Sequence, residues 1–403
     1  MPAISHRAIA MPSSPIRRLV PFAEQAKARG IQIFHLNIGQ PDVESPAEFW
    51  AAIDRARPKV LEYSHSAGTQ GLRDRVRRYY ASIGIELEPH ELIVTTAGSE
   101  AVLFAMMSCL NPGEQVLVPE PFYANYLGFA TACGVEVVPL TTRIEDDFAL
   151  PDAADFAAKI GLRTKAILIC NPSNPTGTIF DKGQLEELRE IVLRHDLFLI
   201  SDEVYREFNY TGSEMPSVLQ LPGLEQHAVM CDSVSKRFSL CGARIGFLAS
   251  HNGDLMQAAV KFAQARLAPP MLEQIGVEGA METPPAYFEA MRDEYRARRD
   301  LLVELLGQME GVTCPKIDGA FYAMVRLPID DADRFCQWLL ECFEHNGKTV
   351  MMAPGTGFYA TQGRGLDEVR IAYVLNRQAI GEAMECLAHA LAVYPGRVLP
   401  VPA

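Results

Sequence analysis

The sequence predicts an α/β protein, with a large domain on a mostly parallel sheet covered by helices and a smaller α+β domain after it. Three observations predict this. Short, mostly apolar runs of strand length recur at 115–118, 135–138, 166–170, 197–201 and 228–231, as expected of strands buried on both faces. Helical patterns lie between several of them, for instance 182–194, which argues for right-handed crossovers. A long charged helical pattern at 286–309 is then followed, after Gly311, by a change of style.

In chain order, residues 1–45 read as an N-terminal arm contributing to the small domain. Pro12, Pro15 and Pro21 punctuate it, a helical pattern covers 22–29, and 31–36 is strand-like. Asn37-Ile38-Gly39-Gln40-Pro41-Asp42 reads as a turn. Residues 46–285 form the large domain. It contains a helix at 72–83 and a strand at 91–96 that runs into Ala97-Gly98-Ser99-Glu100, with a helix from there to 110. Residues 286–403 hold the linking helix and the small domain, with strands at 320–325 and 368–373, helices at 331–345 and 377–393, and a frayed tail at 395–403. There is no internal repeat.

Length and composition fit two soluble globular domains in 403 residues. The 37 basic and 50 acidic residues give a net charge of −13, with no Lys/Arg block, which argues against a nucleic-acid surface. The nine cysteines are scattered, with no C-x-x-C, and the histidines show no zinc spacing, so no metal is expected. Reduced thiols in a cytoplasmic protein are the expected state. The first residues lack a signal-peptide core, and no apolar run approaches the roughly 18 residues of a membrane span.

The chemistry-bearing residues fall at strand ends, where ligands sit in doubly wound sheets. Lys236 lies in Ser233-Val234-Ser235-Lys236, with Ser239 and Arg244 following. A positioned amine suits an aldehyde, and hydroxyls with a guanidinium suit a phosphate. Pyridoxal 5'-phosphate carries both groups. Ala97-Gly98-Ser99 sits where a strand meets a helix N-terminus, a natural phosphate site or a plain turn. Asn171-Pro172-Ser173-Asn174-Pro175-Thr176-Gly177 holds its Asn side chains on a stiff backbone, as a donor site or as a turn alone. Asp202 ends a buried run and could pair with a protonated pyridine nitrogen or cap a helix. Tyr205 could hydrogen-bond the ring oxygen, and Tyr123 could stack on the ring or serve as core. Arg370 is a carboxylate clamp or a surface arginine beside Glu368.

Assembled in this order, the residues resemble class I/II aminotransferases of the aspartate aminotransferase family, fold type I, from Gly39 to Arg370. The resemblance implies that Lys236 bonds covalently to the cofactor and later shuttles the substrate proton. It implies that Asp202 pairs with the pyridinium nitrogen, that Tyr205 and Asn174 hold the ring oxygen, and that Tyr123 stacks on the ring. Ala97, Gly98, Ser99, Ser233, Ser235 and Arg244 would cradle the phosphate, and Arg370 with the Gly39 backbone would hold the α-carboxylate, beside Asn174. Tyr63, in Tyr63-Ser64-His65-Ser66-Ala67-Gly68, is similar to the residue that reaches the neighbouring subunit's phosphate, which implies a homodimer with shared active sites. Pro354-Gly355-Thr356-Gly357-Phe358 resembles the family's turn near the substrate entrance.

Three departures stand out. Ala97 replaces a hydroxyl, Ala243 replaces a bulky aromatic, and the register of the arginine for a distal carboxylate lands on Ala263. Arg17, Arg18 and Arg266 are the cations expected to replace it. The implied activity is a transaminase of amino-acid metabolism working by ping-pong half-reactions, with aspartate as donor and 2-oxoglutarate as acceptor. Aromatic or alanine aminotransferases are the alternatives. A β-lyase, a cyclopropane-forming synthase or a non-enzymatic regulator of the same fold lies further off, and the acidic chain has little room for a winged helix before Gly39.

Overall fold

The protein is described by a computed structural model covering residues 2–398. Its strands among these residues are β1 (Gln32–His35), β2 (Leu92–Thr95), β3 (Gln115–Glu120), β4 (Glu136–Thr141), β5 (Thr164–Cys170), β6 (Phe198–Asp202), β7 (Ala228–Ser233), β8 (Gly246–Ala249), β9 (Tyr322–Arg326), β10 (Lys348–Met351), β11 (Ala353–Pro354) and β12 (Glu368–Ala372).

Seven strands form one sheet in the order β2-β8-β7-β6-β5-β3-β4. The run from β4 through β3, β5 and β6 to β7 is parallel. Strand β8 is antiparallel to both its neighbours, so the mostly parallel sheet has one reversed member. The cause is the connection: only the single-turn helix Val234–Arg237 and the 3-10 turn Cys241–Ala243 lie between β7 and β8, too little for a covered crossover. Register pairs Ser233 with Gly246, so Lys236 and Arg244 share one connection above that end of the sheet.

Alternation along the central strands feeds two cores, because successive side chains point to opposite faces. Ala166, Leu168, Ile200, Val229 and Cys231 enter one. Ile167, Ile169, Leu199, Ala228 and Met230 enter the other. Burial on both faces explains why these runs read as continuous apolar segments.

Strands β9, β12 and β11 form an antiparallel sheet, and β1 from the N-terminal arm pairs in parallel with β10. Helix Pro285–Gly307 runs beside them. Its Arg298 donates to Asp42 Oδ1 at 2.7 Å and to the Val374 carbonyl at 2.6 Å, tying the turn after β1 to the end of β12.

Several expectations need correction. The helix expected at 331–345 is Ala332–Glu341. It ends at Cys342, which leaves helical geometry at φ −120°, and Asn346 (φ 53°) and Gly347 (φ 71°) then turn the chain at the His345–Lys348 bridge into β10, a strand the sequence did not predict. Helices Ala47–Ala56, Asn125–Cys133, Gly253–Arg266 and Met271–Ala280 were also unpredicted. The tail is tied down through 398, with Arg397 bridged to Ile329 and the Val398 N–H donating to the Pro328 carbonyl at 3.0 Å; residues 399–403 lie outside the described residues. No helix among the described residues is long and apolar enough to cross a membrane.

Candidate active site

The parallel strands present Cys170, Asp202 and Ser233 at their carboxyl ends on one rim. Asp202 is 8 % exposed and, among the described residues, has no cationic partner. The Tyr126 hydroxyl donates to its Oδ2 at 2.8 Å. Burial pushes its pKa up to about 6, while the Tyr126 bond pulls the other way. A desolvated carboxylate with one phenol donor and no cation fits a cationic ring nitrogen.

Lys236 sits on the helical turn Val234–Arg237, whose first residues are fixed by the Ser233 side chain accepting from the Ser235 N–H at 3.1 Å. The Lys236 amine donates to the Gly39 carbonyl at 2.8 Å and lies 3.8 Å from Cys241 Sγ. The next residue faces the opposite way. Arg237 is buried in an ion pair with Asp232 and stacks on the Tyr79 ring, 4.5 Å from its centroid. Asp232 also accepts from the Tyr80 hydroxyl at 2.7 Å. This paired charge anchors the turn from below, which holds Lys236 toward the cleft.

Helix Ala97–Cys109 begins on the same rim. Ala97 is left-handed at φ 63°, and β8 passes so close that a Cβ on Gly246 would lie 2.4 Å from the Ala97 carbonyl carbon. A Cβ on Gly98 would lie 3.5 Å from that of Ser233. The structure thus gathers Ala97, Gly98, Ser233 and, at 2.8 Å from Ser233 Oγ, the Ser235 hydroxyl. First-turn N–H groups and the helix dipole favour an anion there, and Ser99 lies in that turn. Ser233 Oγ is already within 3.0 Å of the Ile245 carbonyl. Arg244 (φ 55°) donates to the Cys241 carbonyl at 2.9 Å, and its side chain is exposed.

Asn174 joins two halves of the cleft. Its Nδ2 donates to the Tyr205 hydroxyl at 3.3 Å, and its Oδ1 accepts from Arg370 Nη1 at 3.0 Å. Arg370, 2 % exposed, also donates to the Asn37 carbonyl at 2.6 Å and lies between the rings of Tyr322 (4.5 Å) and Phe358 (4.9 Å). Its Nε has no hydrogen-bond partner among the described residues. Burial lowers its pKa. A desolvated guanidinium without a carboxylate against it, among the described residues, favours an anionic ligand.

Tyr123 is half-buried, edge-on to Tyr126 at 5.5 Å, with its hydroxyl accepting from Asn125 Nδ2 at 2.7 Å. Burial pushes its pKa up to about 12. Tyr63 is not brought to this cleft within one chain; it is 82 % exposed. Two of the three expected distal cations have other partners. Arg18 pairs with Asp333. Arg266 lies 3.6 Å from Glu100 and donates to the Ser66 and Val94 carbonyls. Arg17 is exposed.

Sequence reasoning missed Tyr126, Tyr322, Asn37 and Cys241. Tyr126 lies in the first turn of helix Asn125–Cys133, and Tyr123 precedes that helix, so no helical spacing linked the two. It also missed a surface group, His345, Glu385 and His389, whose ligand atoms lie within 4.8 Å of one another. The two imidazoles stack at 3.8 Å and 15°, so their in-plane lone pairs run side by side and do not converge on one ion.

The sequence pattern of aminotransferase class I and II matches residues 31–387. The chain belongs to this family. Among its relatives, the arginine–pyruvate transaminase of Pseudomonas aeruginosa is 32 % identical over 89 % of this chain and 90 % of that one. The aspartate/prephenate aminotransferase of Thermus thermophilus is 30 % identical over 97 % of this chain and 99 % of its own. A solved structure of a single mutant of Thermus thermophilus aspartate aminotransferase superposes with a TM-score of 0.88 at 29 % identity, covering 97 % of this chain and 100 % of that chain. This aminotransferase therefore shares its architecture with that structure across nearly its whole length.

Proposed function

We propose that this aminotransferase works with pyridoxal 5'-phosphate and moves the amino group of an L-amino acid, aspartate first, to a 2-oxo acid such as 2-oxoglutarate. The observation that supports this most is the convergence on one cleft of a Lys amine, a buried carboxylate without a cation and a buried guanidinium without a carboxylate. Bound there, the cofactor supplies an electron sink for the charge left when the substrate Cα–H bond breaks.

In this reading the protein's own groups divide the work. Lys236 Nζ, released from the Gly39 carbonyl, takes the Cα proton and returns it on the far side of the transferred nitrogen. Asp202, steadied by Tyr126, holds positive charge on the ring nitrogen. Tyr205 and Asn174 bond the ring oxygen, and Tyr123 covers one ring face. The first-turn N–H groups at Ala97, Gly98 and Ser99, with Ser233, Ser235 and Arg244, hold the phosphate. Arg370 grips the α-carboxylate beside Asn174 and Gly39, keeping the Cα–H bond aimed at Lys236. Tyr63 serves the cleft of a second copy, so the working form is a homodimer. Its exposed neighbours Val60 and Leu61 suit an interface. The domain division is 1–45, 46–285 and 286–403, and the free state of the nine cysteines supports a cytoplasmic setting.

A second reading has its own observation. Because Arg18 and Arg266 have partners, a donor with an uncharged side chain, aromatic or alanine, is the runner-up. The test is the visible absorbance of the cofactor-loaded protein as single amino acids are added without any oxo acid. Loss of the band with aspartate supports the first reading. Loss with phenylalanine or alanine but not aspartate supports the second. Release of ammonia and pyruvate points to a lyase, and absence of any visible band after loading overturns the cofactor assignment.

A further inference from the structure

Tyr322 was not among the residues expected at the site, yet it lies at the centre of the cleft. It opens β9, and its hydroxyl lies 3.0 Å from that of Tyr205, which follows β6. Its ring is edge-on to Tyr205 at 5.5 Å and carries the Arg370 guanidinium on one face at 4.5 Å. The backbone at Gly39 crosses so near that a Cβ there would fall 1.7 Å from the Tyr322 oxygen. Glycine at 39 is thus what lets this phenol reach Tyr205.

The proton count at Tyr205 is restrictive. A phenol oxygen has one O–H donor and two acceptor lone pairs. The Asn174 amide N–H already fills one lone pair at 3.3 Å. Among the described residues the Tyr322 hydroxyl has one hydrogen-bond partner, the Tyr205 hydroxyl. If Tyr205 donates to Tyr322, it has no proton left for a ligand. If Tyr322 donates to Tyr205, both lone pairs of Tyr205 are filled, and its proton has only the cleft to point into.

We propose that Tyr322 is a positioning residue that donates to Tyr205 and so fixes the Tyr205 proton toward the cofactor's ring oxygen. The inference rests on the reading above that this oxygen sits against Tyr205 and Asn174. A donor so directed would stabilise negative charge on the ring oxygen and so weaken that oxygen's hold on the proton it would share with Lys236 Nζ. The visible band of the loaded protein therefore titrates at a lower pH than it would without Tyr322.

The test is a spectrophotometric pH titration of the loaded wild type and of Tyr322→Phe, Tyr205→Phe and the double variant, without substrate. Phenylalanine keeps the ring that stacks on Arg370, so the fold is retained. Tyr322→Phe leaves Tyr205 its own proton but removes the donor that polarises it, and is expected to raise the midpoint by about a few tenths of a pH unit, a fraction of one hydrogen bond. Tyr205→Phe is expected to raise it further, and adding Tyr322→Phe to Tyr205→Phe is expected to change nothing more. An unchanged midpoint in Tyr322→Phe, or additive shifts in the double variant, overturns the proposal. Absence of a visible band in the wild type defeats the cofactor reading instead, so the two failures are distinguishable.

Discussion

The Tyr126 hydroxyl donates at 2.8 Å to Asp202, a carboxylate with no cation beside it among the described residues. The pair couples a helix on the rim to the end of β6, and it makes a prediction about pH. The ordinary Asp value of 3.8 is raised to about 6 in the fold, chiefly by burial. Between those values the folded chain holds more protons than the unfolded one, so stability falls as pH rises through the window and levels off above about 6. The contribution is about 3 kcal/mol. Tyr126→Phe removes a bond that favours the charged form, so it costs more at pH 8 than at pH 5, by about 1 kcal/mol. Urea denaturation of the cofactor-free protein at both values checks this, with Asp202→Asn as the reference in which the difference vanishes. An equal loss at both pH values would refute it.

Lys236→Ala is expected to abolish turnover, because no other amine among the described residues meets the Gly39 carbonyl from this turn. Asp202→Asn is expected to lose several orders of magnitude while still binding the cofactor, since an amide cannot stabilise a ring cation. Single-turnover absorbance with a saturating amino acid separates the two. A near-wild-type rate in either variant removes the corresponding role.

Arg370 has its charge buried between two rings, with carbonyl oxygens of Asn174 and Asn37 as acceptors. Truncating one side of a buried, hydrogen-bonded charge pair costs about 2–5 kcal/mol. Arg370→Ala is therefore expected to lower kcat/KM by about two to three orders of magnitude, and Arg370→Lys to recover part of it, since a point charge cannot make two parallel bonds. Steady-state kinetics with an amino acid and with the matching amine lacking the α-carboxylate provide the check. The amine should be insensitive to the substitution, and equal losses on both would contradict the clamp.

What was legible in the sequence was whatever is local. Lys236 and the serines beside it stand within one turn, Asn174 is flanked by prolines, and Asp202 ends an apolar run, so their placement followed from chain position. The parallel strands were legible because burial on both faces leaves an unbroken apolar run. Contacts across the fold were not. Tyr126 meets Asp202 across 76 positions and Tyr322 meets Tyr205 across 117, and neither pairing has a periodic signature. Strand β10 was missed because its cue is a left-handed pair, Asn346 and Gly347, that reads as the end of a helix. Helix Met271–Ala280 buries Gln274, Gly276, Val277, Gly279 and Ala280, so it has too little polar contrast to show a 3.6-residue period.

The ion pair beneath the lysine gives the last prediction. Asp232 is fully buried and accepts from Arg237, from the Tyr80 hydroxyl and from the Ser233 N–H. Replacing it with alanine leaves the Arg237 guanidinium buried without its carboxylate, which costs about 3–5 kcal/mol. Asp232→Asn keeps an acceptor for Tyr80 and Arg237 but not the charge, so it falls between. Because Arg237 follows Lys236 directly, the loosened turn frees the amine, and the cofactor-loaded Asp232→Asn protein is expected to show a broader visible band than the wild type. Denaturation midpoints test the stability order, and the band width tests the link to Lys236. A destabilised Asp232→Asn protein with an unaltered band would confine the pair to folding alone.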